Sequence, residues 1–476
     1  MDRLQLFLNI TGIFFAIYMF GYASYTMVAG IVSIWNLYRN RLKERMENEL
    51  DHDFYFPISI LVPAYNEEKT IVTTINNLLD LDYKIFEIVV IDDGSTDKTA
   101  QLVIDTYHLQ QDQIPIHIKV PSKEIIEVYS GDIGNRSIVM IRKKNGGCKA
   151  DAINAGINIS RYPYFVCMDA DEILQADALK YSARLFLEDD KVIAVGGLIR
   201  IANGIKFQHA MPIEMRMSRN PIVSMQILEY YRSFIASRIF HDTFNGNLNI
   251  SGGYGLFNKK AVVAVGGYDP DSVGEDMDLV LKLHVYHKAQ NIPYAIRYTS
   301  DAVCWTQAPF TMKDLSNQRA RWHRGLMQCM WKYRVLFLNP KFGLISLISY
   351  TYYFLYELIA PFTELLGIIV MLVAYFTNRL NLPLAIFIAL LYTGFCIMQT
   401  ILFYIGKYFL REEKNYKGDL LWSIFISFAD VFVFRPILFI VRISATLNYK
   451  RKLHSWSKIE REDLEEEGSN ELKKEA

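Results

Sequence analysis

The chain has 476 residues, 51% of them hydrophobic, and its 51 basic and 51 acidic side chains cancel. That balance gives no bulk attraction to nucleic acid, so a nucleic-acid partner is not expected. Cys148, Cys167, Cys304, Cys329 and Cys396 have no paired spacing, which argues against a zinc or redox motif and fits reduced cytosolic or intramembrane thiols.

From Leu4 to Leu37 there is no charge, a run longer than the roughly 20 residues that cross a bilayer. It is too long for a signal-peptide core and lacks a cleavage pattern, so it reads as an uncleaved anchor. Arg39, Arg41, Lys43 and Arg45 follow. By the positive-inside rule that end is cytosolic and the amino terminus lies outside.

Residues 53–340 read as an α/β domain. "ISILVPAYN", "FEIVVIDDGS", "SIVMIRK" and "YFVCMDADE" are β-branched runs that end in polar or glycine-bearing loops. Between them "EEKTIVTTINNLLDL" and "CKADAINAGINIS" carry helical patterns. The alternation predicts a wound, parallel α/β sheet with its ligands beyond the carboxyl ends of the strands.

Acidic residues collect at those ends. Asp92 and Asp93 close one apolar strand before a Gly94 turn, where a carboxylate can accept from a ribose hydroxyl or a base N–H. Asp169 and Asp171 stand two apart at another strand end, a pairing that suits a hard divalent cation such as Mg²⁺ or Mn²⁺ sharing its sphere with water and a diphosphate. Glu275, Asp276 and Asp278 open a helix, and one of them could act as a general base on a sugar hydroxyl. Each motif alone also reads as an ordinary turn, cap or first-turn acid.

In "SNQRARWHRGL" a helix puts Gln318, Arg321 and Trp322 on one face. The indole offers a platform for a sugar ring and the guanidinium a fork for a phosphate. Arg319, His323 and Arg324 are expected to point elsewhere, toward lipid headgroups.

Residues 344–376 and 382–406 are each long enough to span, and Lys407, Arg411, Lys414 and Lys417 return the chain to the cytosol. The stretch from Leu420 to Leu447 is interrupted by Asp430, by Arg435 with Pro436, and by Arg442. A re-entrant or interfacial helix pair is the expectation there, with a fourth span as the alternative. Glu357, Glu364 and Asp430 are functional candidates because such groups are costly in lipid. The expected division is an anchor over 1–45, a cytosolic catalytic domain over 53–340, membrane and interfacial helices over 341–447, and a charged, disordered cytosolic tail over 448–476.

In this order and spacing, "VPAYNE", "DDGS", "DAD", "GGYGLF", "GED" and "QRARW" resemble the membrane-bound family 2 glycosyltransferases, over most of residues 56–326. The arrangement of anchor and carboxyl-terminal segments is most similar to the poly-β-1,6-N-acetylglucosamine synthase subgroup, whose relatives make hyaluronan, chitin and cellulose. The resemblance implies a GT-A, Rossmann-like catalytic domain with α-helical transmembrane segments in the plasma membrane. It implies nucleotide binding by Asp92 and Asp93, and a metal and diphosphate site at Asp169 and Asp171. Asp276 matches the base, with Glu275 beside it, while Gln318, Arg321 and Trp322 match the diphosphate and acceptor-sugar residues. Lys149 matches a donor-phosphate residue, although "NGGCKAD" inserts Cys148 where glycine and lysine usually adjoin. Glu229 and Tyr230 resemble the subgroup's interfacial helix, with core packing an equal alternative, and Trp456 with Arg461 are candidates for a lid.

The implied activity is inverting transfer from a UDP-sugar, first UDP-N-acetylglucosamine, to a growing exopolysaccharide of the biofilm kind, coupled to export. A homodimer or export partner would complete a narrow channel. The alternatives are transfer of one sugar to a lipid and a silent nucleotide-sugar-binding subunit.

Overall fold

The computed structural model describes residues 2–47, 55–408, 410 and 417–449. Twelve strands form in chain order: β1 Ile58–Ala64, β2 Phe86–Asp92, β3 Gln110–Gln111, β4 Ile125–Ile133, β5 Arg136–Lys143, β6 Tyr164–Cys167, β7 Ile173–Leu174, β8 Val192–Ile201, β9 Lys206–Gln208, β10 Met211–Glu214, β11 Gly255–Asn258 and β12 Ala295–Thr306. All but β9 and β10 join one sheet of order β3-β4-β5-β2-β1-β6-β11-β8-β12-β7.

β1 and β2 sit near the middle of that sheet and are apolar along nearly their whole length, because both faces are covered. Alternation sends Ile60 and Val62 into one core layer and Leu61 into the other. The one acid inside β2, Glu87, is fully satisfied by Ser59 at 2.6 Å and by Arg161 through its Nε at 2.7 Å and its backbone N–H at 2.8 Å.

The sheet is mixed, not parallel as expected. β11 runs antiparallel between β6 and β8, and β4 forms an antiparallel hairpin with β5 through a turn at Gly134. Strands β5, β2, β1 and β6 are parallel neighbours. Their carboxyl ends, with Asp92, Asp93, Asp169 and Asp171, therefore reach one rim.

Fourteen α-helices are described: α1 Arg3–Glu47, α2 Ile71–Leu79, α3 Thr99–Thr106, α4 Lys149–Ile159, α5 Ala178–Glu188, α6 Pro221–Tyr231, α7 Arg238–Asp242, α8 Lys259–Ala264, α9 Glu275–Ala289, α10 Met312–Lys332, α11 Ala360–Phe376, α12 Leu382–Tyr408, α13 Lys417–Ala429 and α14 Arg435–Leu447. Three helical stretches within Arg3–Leu42, Leu382–Gly406 and Gly418–Leu447 are long and apolar enough to cross a membrane, and a bent pair makes a fourth candidate. The chain is a membrane protein by this measure.

Two of these segments depart from a straight, regular helix. Residues 344–376 do not form one straight helix: Ile345–Leu358 is built largely of π-helical turns and meets α11 at 47°, where Pro361 at the start of α11 supplies no N–H to the preceding turn. Leu420–Leu447 belongs to a single helical stretch, a candidate span by length and composition. A π-helical turn at Asp430–Phe434 links α13 to α14 within one 30-residue helical stretch, because Asp430 is ion-paired to Arg232 and Arg435, both at 3.2 Å. Pro436 falls in the first turn of α14, where a missing N–H costs least.

Both ends of this stretch contact the α/β domain. Asp419 pairs with Arg219 at 3.1 Å, and Thr446 hydrogen-bonds His323 at 3.0 Å. Between them it lies against α6 and α10, packing Ile426, Phe434 and Leu438 on Met225, Leu228 and Leu315. Leu421, Phe425, Phe428, Phe432 and Ile440 stay exposed on its other side.

Candidate active site

Asp93, Lys149, Asp169, Asp171, Glu275, Asp276, Gln318, Arg321 and Trp322 all line one cavity of about 3320 Å³. The same cavity continues among the apolar helices, past Tyr22, Tyr356, Glu357, Glu364 and Arg442.

The two aspartates of "DDGS" occupy different layers. Asp92 is buried beneath the rim and outside the cavity lining, where it accepts from the Ser95 N–H at 3.1 Å. Asp93 lines the cavity, ion-pairs with the fully buried Lys143, and accepts from the Gly146 N–H at 3.0 Å. Burial raises its carboxyl above the usual range, against the pull of Lys143. Gly94 has φ of +71°, and a Cβ there would lie 3.1 Å from the Asn145 nitrogen, so only glycine lets the two loops approach.

Lys149 is the first residue of α4. Its ammonium ion-pairs with Asp169 and donates to the Gly252 carbonyl at 2.7 Å. Burial, the largest influence, works against its charge, but Asp169 together with Cys167 and Glu275 raises its pKa on balance. The inserted Cys148 lines the cavity as the cap residue before it, so the insertion leaves Lys149 facing the Asp-Ala-Asp motif.

Asp169 and Asp171 present hard carboxylate oxygens at the rim, and the Asp169 side chain is 38% exposed. Among the described residues no group of three His, Cys, Asp or Glu converges. A two-carboxylate set fits Mg²⁺ or Mn²⁺, which keeps most positions for water and substrate phosphates. Glu172 was not legible as part of this site. It is fully enclosed, receives the Cys304 thiol at 3.2 Å, and abuts Gly253. Burial, with Asp169 and Asp171 nearby, pushes it up to about 8. The signal lies in Cys304 on β12, too distant in sequence to associate with it.

Gly274 caps α9. Asp276 in its first turn accepts from the Met277 N–H at 2.8 Å and the Gly252 N–H at 3.3 Å, which aims the carboxylate into the cavity beside Lys149. Glu275 is pushed up to about 7, first by burial and then by Asp276. Asp278, the third acid of that turn, faces away and pairs with Lys332 at 2.6 Å.

On α10, Gln318, Arg321 and Trp322 line the cavity. The expectation for their neighbours is corrected: Arg319, His323 and Arg324 are buried, not turned to headgroups. Arg319 pairs with Glu229 at 2.8 Å, and His323 is held neutral, pushed down to about 4 by burial and Arg442. The reason is that α6 and α14 cover the side of α10 that the sequence leaves bare. Tyr230, beside Glu229, also lines the cavity, while Trp456 and Arg461 lie outside the described residues.

An acidic rim, a lysine held against it, and an indole and a guanidinium lining the same cavity fit an enzyme that moves a sugar from a nucleotide. The family described as "Glycosyl transferase family group 2" matches residues 164–405, and "Glycosyl transferase family 2" matches residues 59–265. The chain belongs to the family 2 glycosyltransferases. Such an enzyme takes a nucleotide-sugar donor and a glycan acceptor.

The chain is similar to the poly-β-1,6-N-acetyl-D-glucosamine synthase of Staphylococcus aureus (strain COL), 33% identical over 269 residues, 56% of this chain and 54% of that protein. It is 30% identical over 298 residues to the synthase of Staphylococcus epidermidis, covering 61% of each. The aligned region thus spans about half the length of the Staphylococcus aureus relative. Among solved structures, the mannosyltransferase PcManGT of Pyrobaculum calidifontis, in complex with GDP-Man and Mn²⁺, superposes with a TM-score of 0.54. It is 18% identical and covers 91% of this chain and 98% of its own, a likeness of fold.

Proposed function

We propose that the protein is an inverting polysaccharide synthase that uses a UDP-sugar, first UDP-N-acetylglucosamine, at the cytosolic face of the plasma membrane. The observation that carries this reading is the single cavity joining the acidic rim to the groove among apolar helices. With a donor held at the rim, the acceptor's terminal sugar would sit beside Trp322, and the groove offers an elongating chain a way on.

Asp276 accepts the proton of the acceptor hydroxyl as its oxygen bonds to the anomeric carbon. The bond from that carbon to the diphosphate breaks, and the nucleotide leaves with the electron pair. Lys149 and Arg321, which line the cavity, would stabilise the negative charge growing on the departing phosphates. Asp169 and Asp171 would hold Mg²⁺ or Mn²⁺, which when bound supplies further charge neutralisation to the diphosphate. Asp93 orients the nucleotide end through the Asn145–Gly146 loop.

N-acetylglucosamine as donor, chain extension and export draw support from the similarity to the staphylococcal synthases. The lysines and arginines after α1 support a cytosolic rim. Contacts at both ends of Gly418–Leu447 support its lying at the interface, not across the membrane.

The experiment is turnover of purified protein on a panel of UDP-sugars with sizing of the product. Asp276→Asn should keep UDP binding and lose transfer. Normal transfer by that variant would reject Asp276 as base, and products carrying one added sugar would reject the synthase reading in favour of transfer to a lipid.

A further inference from the structure

Trp322 lines the cavity and is 40% exposed. One turn earlier on α10, the Arg319 guanidinium lies over the indole, 4.3 Å from the ring centroid. Arg319 is only 4% exposed and pairs with Glu229 of α6, with Nη1 donating to Oε1 at 2.9 Å and Nη2 in charge contact 2.8 Å from Oε2. The indole is thus backed by a planar cation that is itself fixed by a carboxylate from a separate helix.

A staple between α6 and the start of α10 does not require this pair. Gln226 of α6 already donates to the Pro309 carbonyl at 2.7 Å, and Asn220 to the Phe310 carbonyl at 3.2 Å, just ahead of α10. An apolar contact would hold two helices as well without desolvating two charges. What the ion pair supplies is orientation: a guanidinium held by one hydrogen bond and a second charge contact to the same carboxylate has a restricted plane, and a ring packed against it shares that restriction. A sugar ring gains from an aromatic face only when that face is held still.

We infer that Glu229 and Arg319 are positioning residues that fix the plane of Trp322 as the acceptor platform, so that an acceptor sugar, not water, meets the donor. This rests on the proposed transferase reading. Neither residue touches the reacting atoms; both act through the indole.

The test uses the full chain in detergent, with UDP-N-acetylglucosamine as donor and β-1,6- and β-1,4-linked N-acetylglucosamine oligomers as acceptor probes. UDP release to water and transfer to the oligomers are measured separately. Glu229→Gln and Arg319→Lys, the latter keeping the ion pair while removing the planar stack, should raise the acceptor KM about three- to tenfold. UDP release to water should stay within about twofold of wild type, and in a Trp322→Ala background Glu229→Gln should add nothing. A parallel fall of hydrolysis and transfer, or additive effects in that background, would overturn the inference and leave a structural staple. A wild-type chain that releases no UDP from any UDP-sugar would instead overturn the proposed function, and this inference with it.

Discussion

Gly274 and Gly325 meet backbone to backbone where α9 and α10 cross. A Cβ built on Gly325 would lie 3.0 Å from both the nitrogen and the Cα of Gly274, with no flexible side chain to yield. The contact sets the separation between Asp276 and the Arg321–Trp322 face. Gly325→Val should push the helices apart and lower transfer by about 100-fold, since an ångström of misplacement costs about that much. Transfer assays on folded protein check this, and wild-type rates in the valine variant would refute it.

Asp169 and Asp171 are the proposed metal-holding pair, and Lys149 is already drawn to Asp169. UDP binding measured by calorimetry with Mn²⁺ should weaken by tenfold or more, ~1.4 kcal/mol, in Asp171→Ala, in Asp169→Ala or on adding EDTA to wild type. Undiminished affinity in all three would remove the metal from the donor site.

Glu275 gives stability a pH dependence. Its carboxyl is raised from 4.5 to about 7 by burial and Asp276. Below about 4.5 it is protonated in both the folded and unfolded chain. Between there and about 7 the unfolded chain has released the proton while the folded one keeps it, so folding stability falls with rising pH across that window and is level above it. Glu275→Gln should therefore unfold at a higher temperature than wild type at pH 8 and match it near pH 4.5. A difference that does not change with pH would count against this environment for Glu275.

Asp430 is the carboxylate between Arg232 and Arg435. Asp430→Ala leaves two partly exposed guanidiniums without their carboxylate, at a cost below the ~3–5 kcal/mol of breaking a fully buried pair. The expected result is a sharp loss of folded protein in detergent, followed by thermal denaturation. Wild-type stability would mean that lipid or water satisfies both arginines.

Several features were legible because their signal is local. Apolar runs along α1 and α12 follow from uninterrupted hydrophobic sequence, and β1, β2, β5 and β6 from short β-branched runs closed by glycine or acids. The acidic strand ends fell together on one rim because parallel neighbours share a direction, a rule of topology that needs no side-chain detail. Helical spacing put Gln318, Arg321 and Trp322 on one face, and the fold brings them to the same cavity.

What lay beyond reach depended on partners far along the chain. Arg319 faces inward because Glu229 waits 90 residues away, and Glu172 is enclosed by Cys304 at a separation of 132. Asp430 forms a π-helical turn, not a break, because Arg232 lies 198 residues distant.

The sequence by itself determined the membrane-spanning potential, the α/β alternation and the acidic strand ends, since hydrophobic length, β-branching and turn residues act within a few positions. Only the tertiary structure decided which of Asp92 and Asp93 meets the cavity, which arginines of α10 turn inward, and that the rim opens into the groove among the helices. The physical reason is that burial and charge pairing are properties of neighbours in space, and a cavity exists only where several elements stop short of one another.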